Sequence, residues 1–242
     1  MKVYCGPVYI RHVEGDHFRS MLRLLRYPNV VFTPEWNDAL LERARAKALT
    51  HFLLDSDCEV YLSIDGDILY SADQALQICE QAMTHDIVAG TYVTRSRDRC
   101  FPTTLQEDNI PVRFAEDPTP VPVKWCATGF LAIHRRVVEK LIKRADVVLC
   151  HPTEDWRFYW PLFSPFVVKG PNGPILLSED YALCERAREE GFQCYVNPSV
   201  RLGHIGQYAF ALEDMLYPPP PQMVMTLTRQ EAGNYKIESE NG

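Results

Sequence analysis

Tyr61-Leu62-Ser63-Ile64-Asp65-Gly66-Asp67-Ile68 is the stretch that decides the fold. Residues 59–64 are β-rich and largely apolar, the pattern of a strand buried on both faces inside a parallel sheet. The run ends on two carboxylates separated by one glycine. Gly66 adds no bulk and permits a sharp turn. Two neighbouring acids at a strand end repel each other unless a cation or hydrogen-bond donors compensate. A hard divalent ion such as Mg²⁺ or Mn²⁺ is a natural partner, because it takes oxygen ligands and bridges phosphates. A solvated acidic turn is the plainer alternative for so short a triplet. Asp55-Ser56-Asp57, which lies between a helix and the strand, is expected to be only such a turn.

Outward from this strand, helical and extended patterns alternate. Residues 2–9 and 30–33 fit strands, and 18–25 has helical spacing. Asn37 or Asp38 can cap a helix running through Leu40, Leu41, Ala44 and Ala48 towards Leu53. Ser71 caps a helix over 71–83, and 87–94 is a strand. Residues 95–122 are polar and Pro-rich and predict a long loop. Beyond it come a strand at 129–134, a helix at 136–144, an irregular aromatic stretch at 150–174, and a helix at 179–191 that stops at Gly191. Residues 192–196 are a strand, and 200–206 a strand or loop. The run 218–221 predicts extended polyproline, followed by a polar tail. The chain is thus expected to hold one α/β domain over 1–217 and a Pro-rich linker and tail over 218–242. The architecture is an open, mostly parallel sheet, in which ligands bind beyond the carboxyl ends of the strands.

The formal net charge of −7 argues against charge-driven binding to nucleic acid or anionic membranes. No apolar run approaches the ~20 residues needed to cross a bilayer, and the first ten residues lack the pattern of a secretory signal. The eight cysteines are spread along the chain without a C-x-x-C pair. They are expected to be reduced thiols of a cytoplasmic protein, many buried as small hydrophobes, and not a zinc site.

Three blocks, in order, resemble GT-A glycosyltransferases, especially family 2-like enzymes. The first is the Asp65-Gly66-Asp67 strand. The second is Trp125-Cys126-Ala127-Thr128-Gly129-Phe130-Leu131-Ala132-Ile133 with Arg135-Arg136-Val137, where Ala127 replaces a glycine of the family segment. The third is Ser178-Glu179-Asp180-Tyr181 followed by Arg186 and Gly191, ending at Val200-Arg201-Leu202-Gly203-His204. The resemblance covers about residues 30–206. It implies the GT-A (nucleotide-diphospho-sugar transferase) fold with helices on both faces of the sheet. It implies a metal-dependent transfer from a nucleotide-sugar, with a UDP-sugar as donor, Mn²⁺ or Mg²⁺ as cofactor, and a glycan, lipid, protein or modified nucleic acid as acceptor.

The same resemblance assigns roles. Asp65 and Asp67 would hold the metal and donor, Asp67 more directly, with Asp65 towards the sugar hydroxyls. His204 would complete the metal shell; a hydrogen-bonded core histidine is the alternative. Asp180 would be the general base of an inverting enzyme, with Glu179 beside it as a substitute or as a contact to the donor sugar; helix capping is the alternative for both. Arg43 or Arg45 would lie near the nucleotide, with a solvated helix face as the alternative. Thr128 and Gly129 would bring backbone amides near the donor or the acceptor. Trp125, Trp156 and Trp160 could stack on an acceptor, or equally pack in the core. Residues 198–204 are also similar to the retaining polypeptide N-acetylgalactosaminyltransferases, which leaves the stereochemistry open. Two rival classes remain. One is sugar-phosphate nucleotidyl transfer, for which Cys5-Gly6-Pro7 is a poor match. The other is a non-catalytic sugar-binding relative, against which the intact set Asp65, Asp67, Asp180 and His204 speaks.

Overall fold

The structure, a computed structural model, describes residues 1–9, 12–95, 100–106, 111–114, 117–154, 158–206, 224–230 and 234–240. The first half contains β1 (Val3–Cys5), β2 (Val8–Tyr9), α1 (Gly15–Leu24), β3 (Val30–Phe32), β4 (Glu35–Trp36), α2 (Leu41–Asp55), β5 (Val60–Ile64), β6 (Ile68–Leu69), α3 (Ala72–His85) and β7 (Ile87–Thr91). Then follow β8 (Thr103–Leu105), β9 (Pro111–Phe114), β10 (Val121–Cys126), β11 (Phe130–His134) and α4 (Arg135–Leu141). The last part holds β12 (Phe166–Gly170), β13 (Gly173–Leu177), α5 (Glu179–Glu189), β14 (Cys194–Arg201), β15 (Gly203–His204), β16 (Val224–Arg229) and β17 (Tyr235–Glu240).

The central sheet has the order β3-β1-β5-β11-β7-β14-β10-β8. Strands β3, β1, β5, β7, β14 and β8 point one way, while β11 and β10 run against them. It is therefore a mixed, mostly parallel sheet. Its strands alternate between two apolar layers. Tyr4, Tyr61, Leu131 and Ile133 face a core shared with α2, α4 and α5. Val3, Leu62, Ala132 and Val88 face a core shared with α1 and α3. Every residue of β5 is buried, as a strand covered on both faces requires. Ser71 closes a capping box with Gln74 at the start of α3, and Gly191, at φ 88°, turns the chain after α5.

Several expectations are corrected. The predicted long loop contains β8 and β9, and its last residues open β10. The aromatic stretch ends in the β12–β13 hairpin. Residues expected as a polar tail supply β16 and β17, which join β9 in a three-stranded sheet and bury Leu227. Strand pairing satisfies the backbone of this polar-looking segment while one face packs on the core. The run 218–221 and Trp156 lie outside the described residues. At the start of α2 the N-cap is Leu40; the Asp38 carboxylate accepts from the Leu40 amide at 3.1 Å. Among the described residues no helix is long and apolar enough to cross a membrane.

The far end of α2 is closed by a charge. Arg135 donates to the carbonyls of Phe52, Leu53, Ser56 and Cys58 at 2.7–3.0 Å. These include carbonyls left unpaired at a helix C-terminus, where a cation also suits the helix dipole. Replacing Arg135 by Ala is expected to cost about 3 kcal/mol, read as a lower urea midpoint with an unchanged slope. A loss under about 0.5 kcal/mol would show that solvent takes over these bonds at no cost.

Candidate functional site

The central strand delivers the acidic turn to the carboxyl end of the sheet. The Asp65 amide donates to Gly129 O at 2.8 Å, and Ile68 N to Asp65 O at 3.1 Å, closing the turn. A side chain at Gly66 would collide with the Tyr9 ring, so the glycine is required by close packing. The two carboxylates face different partners.

Asp65 belongs to a buried cluster around Arg45, a residue of α2 that is 2% exposed. Nη2 of Arg45 donates to both Asp65 oxygens at 2.9 Å. Nη1 donates to Glu179 Oε1 at 3.1 Å and to Asp180 Oδ1 at 2.6 Å. Thr128 Oγ1 donates to the same Asp180 oxygen. Burial opposes the charge on Arg45, but the three carboxylates outweigh it and raise its pKa. Burial dominates at Asp180 and pushes it up to about 6 despite Arg45. Its place in the first turn of α5, where the helix dipole favours the ionised form, does not offset that burial.

Asp67 faces His204. The short pairing of β15 with β6 sets His204 opposite Ile68, and Ile205 N donates to Asp67 O at 2.7 Å. His204 Nδ1 lies 2.7 Å from Val93 O, so that nitrogen carries the hydrogen. Nε2 is then the nitrogen turned to Asp67 Oδ1, 3.6 Å away. That gap is longer than a hydrogen bond, and Oδ1 is a buried oxygen with no donor among the described residues. A lone pair facing a carboxylate oxygen calls for a positive charge between them. The same environment acts on His204 itself: burial lowers its pKa, but Asp67 and the Val93 carbonyl outweigh burial and raise it. Burial likewise works against ionised Asp67, yet His204 and Arg95 hold it below the ordinary value. Arg95 Nη2 donates to the other Asp67 oxygen at 2.8 Å. A cavity of about 390 Å³ opens over the turn, lined among others by Val8, Tyr9, His12, Asp65, Asp67 and Arg95.

The residues singled out from sequence divide accordingly. Asp65, Arg45, Glu179, Asp180 and Thr128 form one cluster, and Asp67 with His204 forms the other. Asp65 does not join the second, because both its oxygens are taken by Arg45. Arg43 is elsewhere: its guanidinium clasps Asp38 at 2.7–3.1 Å. The Gly129 amide is already given to Tyr92 Oη at 3.2 Å, so it is no spare donor for a ligand. Any Cβ at Gly129 would sit 2.9 Å from Asp65 Oδ2 and collide with the Tyr92 hydroxyl. Trp125 is a core residue, 7% exposed, stacked on Tyr181 at 5.2 Å and bonded through its indole N–H to Glu185 at 2.8 Å. Trp160 packs against the core on the α2 side, where its amide meets Thr50 Oγ1. Sequence patterns missed Arg95 and Tyr92, which follow β7. Their place just after a parallel strand was the available signal. Tyr9 and the buried His17, bonded at 2.9 Å, were missed too, because the turn between β5 and β6 recruits them from far along the chain.

No family model and no curated protein matches the chain. Among solved structures, its fold is similar to that of A197 from STIV, with a TM-score of 0.56, 15% identity, and coverage of 100% of this chain and 95% of that one. It is also similar to GalNAc-T7, solved with UDP, GalNAc and Mn²⁺, with a TM-score of 0.52, 11% identity, and coverage of 85% of this chain and 44% of that one. At such identities the likeness establishes the fold alone, the GT-A arrangement of a mixed sheet between helices.

Removing the central cation tests the cluster. Arg45→Met would leave three acids without their common partner, and a loss of about 3–5 kcal/mol is expected. The loss should be larger near about pH 8 than near about pH 5, since protonation relieves carboxylate repulsion. Asp180 itself, raised when folded, stabilises fully below its unfolded pKa of about 4, and that contribution is lost as pH rises through about 6. Equal losses at both pH values in thermal melts would refute the repulsion.

Proposed function

We propose that the chain is a metal-dependent glycosyltransferase that moves a sugar from a UDP-sugar to an acceptor hydroxyl, in the cytoplasm, with a catalytic body that includes the β16–β17 segment packed on β9. The observation that carries this is the orphaned, buried Asp67 oxygen facing the His204 nitrogen, on a GT-A sheet, with Asp67 itself lining the cavity over the turn. The similar GalNAc-T7 structure contains UDP and Mn²⁺, which supports both donor and ion. The donor set fits such a cation: one carboxylate oxygen and one imidazole nitrogen, with room in the cavity for diphosphate oxygens and water. Mixed nitrogen and oxygen ligation favours Mn²⁺ over Mg²⁺. Asp67 and His204 would hold the ion, whose charge would offset that growing on the leaving diphosphate.

The protein's own groups supply the rest. Arg95, half exposed at the cavity wall, is placed to exchange its bond to Asp67 for one to a donor phosphate. Arg45 fixes Asp65, which faces the sugar hydroxyls from a rigid seat. Arg45 and Thr128 both hold Oδ1 of Asp180, so Oδ2 is the oxygen assigned to the acceptor. In the inverting course the acceptor oxygen bonds to the anomeric carbon as the bond to the diphosphate oxygen breaks. The acceptor proton passes to Asp180, and the electron pair leaves with the diphosphate. A pKa raised to about 6 suits a base working near neutrality, ionised yet more basic than an ordinary aspartate. A retaining course would use the same metal pair and leave Asp180 as a positioning group. The acceptor class, whether glycan, lipid, protein or modified nucleic acid, is left to experiment.

UDP should raise Tm in the presence of Mn²⁺ and far less without it, and Asp67→Asn should abolish the difference. A metal-independent UDP shift, or none, would remove the metal assignment. With the cognate donor and acceptor, turnover should rise with pH through a midpoint of about 6. Asp180→Asn should lower kcat by roughly 10²–10⁴-fold while preserving the Mn²⁺-dependent UDP shift. Near-normal turnover by that variant, or a product with retained anomeric configuration by NMR, would take the base role from Asp180.

A further inference from the structure

The sequence offers no local metal-binding pattern among its cysteines, but the fold brings three of them together. Cys126 ends β10, Cys184 lies on α5 and Cys194 begins β14. All three are fully buried, and their sulfurs lie within 4.8 Å of one another. Cys126 and Cys184 are 3.8 Å apart, sulfur to sulfur. We propose that these three side chains form a binding site for one thiophilic d¹⁰ cation of the zinc or cadmium type, held by three thiolates.

The spacing is that of ligands around a metal. A Zn–S bond of about 2.3 Å places two tetrahedral sulfurs about 3.8 Å apart and two trigonal ones about 4.0 Å apart. A disulfide would need sulfurs about 2.05 Å apart. The Cys126 carbonyl lies 3.4 Å from Cys184 Sγ, so an oxygen donor borders the trio. The other five cysteines join no such group among the described residues. Packing accounts for a single buried thiol as a small apolar side chain, and gives no reason for three to converge from three separate elements. On binding, each thiol loses its proton to the buffer and the cation takes three sulfur lone pairs; nothing is oxidised. Full burial means the ion enters as the chain folds, so that its binding energy adds to folding.

The site lies beneath the carboxylate cluster. Cys184 is one helical turn beyond Asp180, and Cys126 is two residues before Thr128, which bonds Asp180. The bound cation would therefore fasten β10 to α5 where those two elements hold Asp180. It is separate from the Asp67–His204 pair and does not depend on the chain being a glycosyltransferase.

The full chain, unfolded with chelator and reductant and refolded with cadmium alone, should retain about one ion per chain after desalting. It should show the ultraviolet thiolate-to-cadmium charge-transfer band and melt higher than protein refolded without metal. Cys126→Ala and Cys184→Ala should each lose the band, while Cys100→Ser, at an exposed position, should keep it. If the first two variants do not fold, cadmium NMR of the unaltered chain decides, with a resonance in the three-sulfur range expected. Absence of the band, a cadmium resonance in the oxygen–nitrogen range, loss of the band in Cys100→Ser, or a Cys126–Cys184 disulfide in the native protein would each overturn the proposal.

Discussion

One buried guanidinium organises the upper face of this sheet. Arg45 reaches from α2 to Asp65 on the central strand and to Glu179 and Asp180 at the start of α5. Three acids could not share so small and half-buried a space without it. Its planar fork matches that task, since two nitrogens aim at different carboxylates from one rigid plane. The central strand, α2 and α5 are thereby fixed to one another by charge as well as by apolar packing.

That division leaves Asp67 to act alone. With both Asp65 oxygens bonded to Arg45, the second acid of the turn meets His204, Arg95 and solvent in the cavity that both acids line. One residue between the two acids is enough to give them different partners, Arg45 for Asp65 and Arg95 with His204 for Asp67. The antiparallel insertion of β11 between β5 and β7 completes the arrangement. It brings Thr128 and Gly129, which precede β11, against Asp180 and Asp65 from the far side of the turn.

Much of this was legible in sequence where the cause was local. The apolar run into Asp65-Gly66-Asp67, the Ser71 cap and the Gly191 stop are set by residues within a few positions of one another, and the sheet-with-helices architecture followed from their alternation. What depended on distant chain was hidden. Helical spacing puts Arg43 and Arg45 two residues apart, on different faces of α2, and only the position of Asp38 and of α5 decides which one enters the cluster. Trp125 offered no sign that Tyr181 and Glu185 would enclose it. β16 and β17 look polar because one face of their small sheet is exposed, and Cys126, Cys184 and Cys194 are too far apart in sequence for any spacing rule. Nor does the sequence show the basicity of Asp180, which burial, a property of the whole fold, raises.

Gly129 couples these parts in a way that bears on how the chain can vary over time. Its missing side chain is the space in which the Tyr92 hydroxyl and the Asp65 carboxylate sit. Tyr92 in turn rests edge-on against the His204 ring. A single added methyl would press on both acidic centres together, through Asp65 on one side and through Tyr92 and His204 on the other. Two sites that share no ligand thus share one point of mutational vulnerability. A chain altered widely in the strands and loops around them would still be held to glycine here.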